Sequence, residues 1–320
     1  MSMNITNFNS NSYDIKNTSA NIEWEQLIQN WISYADLQSP ETIKTYLTSI
    51  RQFFSYVGQN NISSPTRENV ISWREQLIQE SKSSSTINTY LISCRKFFDY
   101  LEGQKIYPNI FKNVKGMKIS KLHKKDNLTS SQASELISSI ERDTLQGKRN
   151  YAIISLMISC GLRDIEVSRA NIDDMRPVGD RMGLFIQGKG HSEKDDFVVL
   201  PSRIEYIIRE YLSNREDEYD SDSPLFISTS NRSLNKRLST RSISKVVKTS
   251  LRNIGLNSNR LTAHSLRHTA ATLNLLNGGT LEQTQNLLRH ENISTTMIYS
   301  HHIETASNDS TERIADLIFK

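Results

Sequence analysis

From Asn21 to about Leu101, apolar residues recur with the period of amphipathic helices, and four segments stand out at 22–35, 40–57, 66–80 and 84–102. The second opens with Ser39 as a helix cap and Pro40 at the first helical position. Gly58 and Gly103 are expected to stop the second and fourth helices. These two segments resemble each other. TIKTYLTSIRQFFSYV (42–57) and TINTYLISCRKFFDYL (86–101) agree at ten of sixteen positions, including Tyr46/Tyr90, Arg51/Arg95 and the paired phenylalanines. In the first copy Ile43, Leu47, Ile50, Phe54 and Val57 share one helical face, which predicts that face buried. Lys44, Thr45, Thr48 and Gln52 occupy the other face, and the Tyr and Phe residues read as core.

The pattern then changes. Residues 112–125 carry six lysines, which cannot be buried together and read as a linker. A new unit begins near Thr129, where Thr129 and Gln132 form a capping-box pair. A helix over 148–160 ends at Gly161. Two β-rich runs, 183–187 and 197–201, are joined by GKGHSEKDD as a hairpin with a long loop. Helices follow at 201–213, 240–254, 265–276, 280–289 and 294–300, and 214–239 reads as loop with one apolar piece, LFIS. The expected boundaries are a flexible polar tail (1–20), a helical domain (21–111), the lysine linker (112–126) and an α+β domain (127–320) with a tail helix at about 308–320. The fold class is mostly α with a small β-sheet.

Composition narrows the class without naming a function. At 320 residues, 36% hydrophobic and 23% charged, the chain reads as a globular protein of two domains. A net charge of +4 permits a polyanionic partner and no more. Cys94 and Cys160 sit in apolar helical patterns and read as buried, reduced thiols. The Asn/Ser-rich start lacks the features of a signal peptide, and no run reaches the ~18 apolar residues of a membrane span. A cytoplasmic, nucleoid-associated protein is expected, with no membrane contact.

The chemistry lies in five strings of the second unit: GLRDIE (161–166), IQGKGH (186–191), HSLRHT (264–269), LLRHE (287–291) and IYSH (298–301). Their residue types suit phosphodiester cleavage by a side chain. Tyrosine, with a free pKa of about 10, needs neighbouring positive charge or a base to act as a nucleophile. Two arginine forks suit the non-bridging oxygens of a five-coordinate phosphorus. Lysine and histidine supply protons and hydrogen bonds. His264 and His268 have a spacing that zinc sites also use, but Ser265 stands where a metallohydrolase places its glutamate and no third ligand is evident. No metal or other cofactor is called for.

In order and spacing these strings resemble the motifs of the tyrosine recombinases, the phage-integrase and Xer-like family. The resemblance implies Tyr299 as nucleophile, with Arg163, Lys189, His264, Arg267 and His290 as its catalytic partners and Glu166 as a brace. It covers about 125–300 strongly, while 22–105 matches the family's helical, SAM-like core-binding domain in kind. It further implies a C-shaped DNA clamp and a 3′-phosphotyrosine intermediate formed without metal or ATP. The partner implied is double-stranded DNA carrying paired recombination sites, engaged by a homo-tetramer that exchanges C-terminal tails. In integration, excision or resolution, Lys44, Thr45, Arg51, Arg95, Lys121, Lys124, Thr240, Arg241 and Lys245 are the candidates for DNA contact.

The first 20 residues are too short for the arm-binding domain of many phage integrases, which tilts the expectation towards simpler Xer-like or mobile-element enzymes. Type IB topoisomerase-like relaxation and non-catalytic DNA binding are the alternatives. Two positions depart from the family pattern. Arg289 stands where a glycine usually precedes the second histidine. The loop after Lys189 is long, which makes Lys194 a second candidate for the hairpin lysine.

Overall fold

The computed structural model describes residues 24–37, 39–118, 126–188, 193–306 and 308–319. The chain divides into two compact units, Met1–Lys121 and Leu122–Lys320.

The first unit is built of α1 (Trp24–Tyr34), α2 (Pro40–Gln59), α3 (Arg67–Gln79) and α4 (Ser84–Gly103). Ser39 and Ser83 cap α2 and α4 by accepting from the amides of Thr42 and Thr86. The two similar helices pack on each other, and their apolar faces meet around Phe53, Phe54, Phe97 and Phe98, all buried. The aromatic residues are therefore core, as the periodicity predicts. One helix stop differs from expectation. Gly58 lies inside α2, which runs on to Gln59, whereas α4 ends at Gly103 as expected; the chain then reverses at Asn61 and Lys105, both with positive φ.

The expected linker also begins later than the lysine run suggests. Phe111 and Val114 are buried in the first core. Arg95 donates to the carbonyls of Phe111 and Val114 at 3.1 and 2.8 Å, and Asn88 holds both backbone groups of Met117. Lysines spaced three apart leave room for apolar residues between them, and the chain uses that room. Phe53 is the centre of this core, edge-on to Trp73 at 5.1 Å and to Phe111 at 4.9 Å. Phe53→Ala will destabilise this unit by about 3–5 kcal/mol in a chemical denaturation experiment.

The second unit contains α5 (Ser130–Ser138), α6 (Leu145–Cys160), α7 (Asp164–Arg169), β1 (Met175–Val178), β2 (Arg181–Ile186), β3 (Asp196–Val199), α8 (Ser202–Ser213), α9 (Thr240–Asn253), α10 (Ala263–Leu276), α11 (Leu281–Leu288), α12 (Ser294–Ala306) and α13 (Ser310–Ile318). The antiparallel sheet has the order β1-β2-β3, with Leu184 opposite both Met175 and Val198. β1 was not legible as a strand. It is four residues long, does not alternate, and contains Pro177, which an edge position tolerates.

Helix α6 is buried continuously from Tyr151 to Met157 and runs through the core, packed on α8 and α10. Cys160 at its end and Cys94 in the first unit are both free and buried. Burial pushes both thiols up, Cys160 to about 12. No helix among the described residues is long and apolar enough to cross a membrane.

Candidate active site

The site is assembled at the ends of α6, α10 and α11, with α12 closing it. Gly161 ends α6 in the left-handed conformation (φ 59°), and a Cβ there would meet Leu288 at 3.0 Å. Glycine is thus required twice, by the backbone and by the neighbouring helix. The turn delivers Arg163 to the start of α7. Its amide donates to Glu166 Oε2 at 2.8 Å, and its Nη1 donates to Glu166 Oε1 at 2.6 Å. The Glu166 side chain is fully buried, while that of Arg163 keeps 27% exposure. Burial raises the Glu166 carboxyl. The charge of Arg289, the Arg163 amide, and the charges of Arg163 and Arg267 outweigh it and hold the group below its ordinary value.

Arg267 projects from α10 into the interior and is 1% exposed. Its guanidinium donates to the Gly161 carbonyl at 2.6 Å and to the Leu288 carbonyl, so it joins the ends of α6 and α11. Burial, Arg163 and Arg289 pull its pKa down to about 9, which leaves it charged at neutral pH. Among the described residues its Nε has no hydrogen-bond partner, and neither has that of Arg289.

His264, one turn before Arg267 on α10, is exposed. His290 follows α11, and its Nδ1 lies 2.8 Å from Thr296 Oγ1. Burial and the charges of Arg267, Arg163, Arg289 and His264 pull its pKa down to about 4, so it is neutral at pH 7.

Tyr299, on α12, is buried against Ala271 and Leu288. Its hydroxyl lies 2.5 Å from Nδ1 of His268. Burial pushes the phenol up to about 12, against the pull of Arg267 and Arg163. These groups share one pocket of about 570 Å³, lined by Arg163, His264, Arg267, His268, Arg289, His290 and Tyr299, among others. Three guanidinium groups against one buried carboxylate make it a site for an anion. The arrangement can hold a phosphate beside a phenol.

The structure therefore brings together Arg163, Glu166, His264, Arg267, His290 and Tyr299. Lys189, Lys121 and Lys124 lie outside the described residues. Lys194, the second candidate for the hairpin lysine, is held by Asp174 Oδ2 at 2.6 Å, which accounts for its charge structurally.

The DNA-contact candidates separate. Lys44, Thr45, Arg241 and Lys245 are exposed, and Thr240 is half-buried. Arg51 is exposed and pairs with Glu25 at 3.1 Å. Arg95 is turned onto its own unit's carbonyls, so it is withdrawn from the contact set. His268 was missed. Its only signal was its spacing from His264, a helical i, i+4 pair that sequence reading weighs as a metal spacing; the ring is instead edge-on to His264 and bonded to the phenol.

Comparison with known proteins bears on the family. Residues 126–305 match the model of the phage integrase family, and residues 29–105 match the phage integrase N-terminal SAM-like domain. Tyrosine recombinase XerC of Caldanaerobacter subterraneus subsp. tengcongensis is 36% identical over 176 residues, 54% of this chain and 46% of that protein. The match thus spans about half the length of that relative. Tyrosine recombinase XerA of Thermococcus kodakarensis is 30% identical over 280 residues, covering 87% of this chain and 91% of the relative. Among solved structures, XerH site-specific recombinase bound to a palindromic difH substrate, in a post-cleavage complex, superposes with a TM-score of 0.69 at 24% identity, over 84% of this chain and 80% of that one. That likeness shows a shared fold. With a family model matched over more than half of its length and a full-length relative at 30% identity, this chain belongs to the phage integrase family of tyrosine recombinases.

Proposed function

We propose that the protein is a site-specific DNA recombinase that cleaves and rejoins strands through a 3′-phosphotyrosine at Tyr299. The observation that carries the reading is the placement of the Tyr299 hydroxyl in one pocket with Arg163 and Arg267. In the first step the Tyr299 oxygen bonds to phosphorus and the bond from phosphorus to the 5′ oxygen breaks. The phenolic proton is within hydrogen-bond reach of His268 Nδ1, and His264 stands edge-on beside it. Arg163 and Arg267 stabilise the charge on the non-bridging oxygens. Neutral His290, with Nδ1 facing Thr296, donates from Nε2 to the phosphate. Lys189 protonates the departing 5′ oxygen. The phosphotyrosine conserves the bond energy, so an incoming 5′ hydroxyl reverses the step without ATP.

Both units engage duplex DNA in this reading. Lys44 and Thr45 of α2 and Thr240, Arg241 and Lys245 at the start of α9 are the groove and phosphate contacts, with Lys121 and Lys124 along the backbone. The structure of similar fold was solved with its DNA substrate, which supports DNA as the partner.

The test uses DNA sites selected from a random pool by the protein itself. A nicked copy of such a site should become covalently linked to the protein and stay linked in denaturing detergent. Binding with no covalent species defeats the reading in favour of a non-catalytic DNA-binding protein. Joining of paired sites, beyond relaxation of a supercoiled circle, separates a recombinase from a topoisomerase.

The tail favours recombination. On α13, Ile314 is 57% exposed, Leu317 72%, Ile318 65% and, just beyond, Phe319 83%. A helix with no buried residue and an apolar stripe suits docking on a neighbouring protomer in a tetramer. Deleting 308–320 should leave single-site binding intact and abolish or skew the joining of paired sites. Normal recombination by the tail-less protein removes the tail from the mechanism.

A further inference from the structure

Arg289 occupies a backbone position that suits glycine, yet its side chain reaches back into the pocket. Its φ and ψ are 51° and 52°, the left-handed region. A residue with a Cβ pays about 1–2 kcal/mol there, and such strain persists where surrounding contacts over-determine it. Those contacts are present. The side chain is 8% exposed. It donates to its own turn at the Leu287 carbonyl, 2.7 Å away, and to Glu166 Oε2 at 2.9 Å, with longer contacts to the carbonyls of Gly161 (3.3 Å) and Cys160 (3.5 Å).

The last three partners belong to the corner between α6 and α7, which carries Arg163. Arg289 itself belongs to the corner between α11 and α12, which carries His290 and leads to Tyr299. Glu166 is where the two corners meet. Arg163 holds one of its oxygens through Nη1 and the other through its amide, and Arg289 adds a charged donor to the second oxygen. A carboxylate gripped by guanidinium groups from two elements is fixed in both plane and position.

We propose that Arg289 is a positioning residue that locks Glu166, and through it the guanidinium of Arg163, to the corner carrying His290. This inference rests on the phosphoryl-transfer reading of the site. In this chain an ion pair ties the two corners together. The electrostatics agree, because Arg289 is the largest of the influences that offset the burial of Glu166.

The test compares Arg289→Gly and Arg289→Lys with wild type on a nicked site. It measures the dissociation constant and the single-turnover cleavage rate at saturating DNA. Glycine suits the backbone, so this variant removes the contacts and relieves the strain together. Arg289→Gly should bind DNA within about threefold of wild type, because a rim of other charges remains, and cleave about 100-fold more slowly, as misplaced catalytic groups do. Lysine keeps the charge without the fork and should cleave closer to the glycine variant than to wild type.

The same Gly substitution in a Glu166→Gln background should slow cleavage by less than about a further threefold, because the two residues act as one unit. Three results overturn the proposal: wild-type cleavage by Arg289→Gly, full activity of Arg289→Lys, or an equal loss from Arg289→Gly in both backgrounds. If Arg289→Gly loses DNA binding, the Lys variant carries the same comparison. If wild type itself never links to DNA, the proposed function fails and not this inference alone.

Discussion

Tyr299→Phe will bind its DNA site and form no covalent complex with it, a loss of at least about 10⁴-fold in cleavage. The substitution removes one oxygen and leaves the ring. Tyr299 is buried against Ala271 and Leu288, and phenylalanine retains that packing. The fold cost is the hydrogen bond to His268, about 1 kcal/mol. Structure and chemistry are thereby separated. A melting temperature close to wild type, an unchanged dissociation constant and no detergent-resistant complex together assign the nucleophile. A covalent complex formed by the Phe variant, on the other hand, means that another residue attacks, and Tyr299 is misassigned.

The phenol's own state sharpens this expectation. Pushed up to about 12 by burial, it is protonated in the free protein at neutral pH. In the proposed mechanism its proton leaves as the phosphate is attacked, and the His268 ring nitrogen 2.5 Å away is within reach of it.

Arg267→Ala is the second large effect, and unlike the first it will strike chemistry and stability together. Cleavage should fall by about 10²–10³-fold, the cost of removing one preorganised donor from a charge-stabilising site. The melting temperature should fall as well. Arg267 is 1% exposed and donates to the carbonyls of Gly161 and Leu288, so its removal leaves two buried acceptors and a cavity between α6 and α11. Arg163→Ala offers the contrast. That side chain is 27% exposed and its main partner is Glu166 alone, so its loss should affect cleavage more than melting. Single-turnover cleavage and thermal unfolding of both variants check the pattern. Equal melting temperatures for wild type and Arg267→Ala would show that the two carbonyls do not depend on this side chain.

Much of the molecule was legible in its residues because helix periodicity and capping are local. The four helices of the first unit, the paired phenylalanine core and the helix ending at Gly161 follow from spacing and turn chemistry. What was missed depended on partners far away in the chain. β1 is a strand because β2 lies beside it, not because Met175–Val178 alternates. Val114, among the lysines, is buried because Arg95 and Asn88 hold the neighbouring backbone against α4. The resemblance offered Arg51 and Arg95 alike as DNA contacts, but Arg51 is exposed whereas Arg95 turns onto the carbonyls of Phe111 and Val114, so the two repeats face different surroundings.

The candidate site divides in the same way. By itself the sequence determined the chemical inventory: one tyrosine in company with two arginines, two histidines, a lysine and a glutamate, in the order and spacing of a known family. Residue types and short intervals along the chain are enough for that. Only the tertiary structure decided how these residues work on one another. Arg267 ties the ends of α6 and α11, His268 is the neighbour of the phenol, and Arg289 closes on Glu166 from 123 residues away in sequence. The physical reason is that hydrogen bonds and ion pairs between side chains act over about 3 Å, and no local pattern records which distant residue will arrive there.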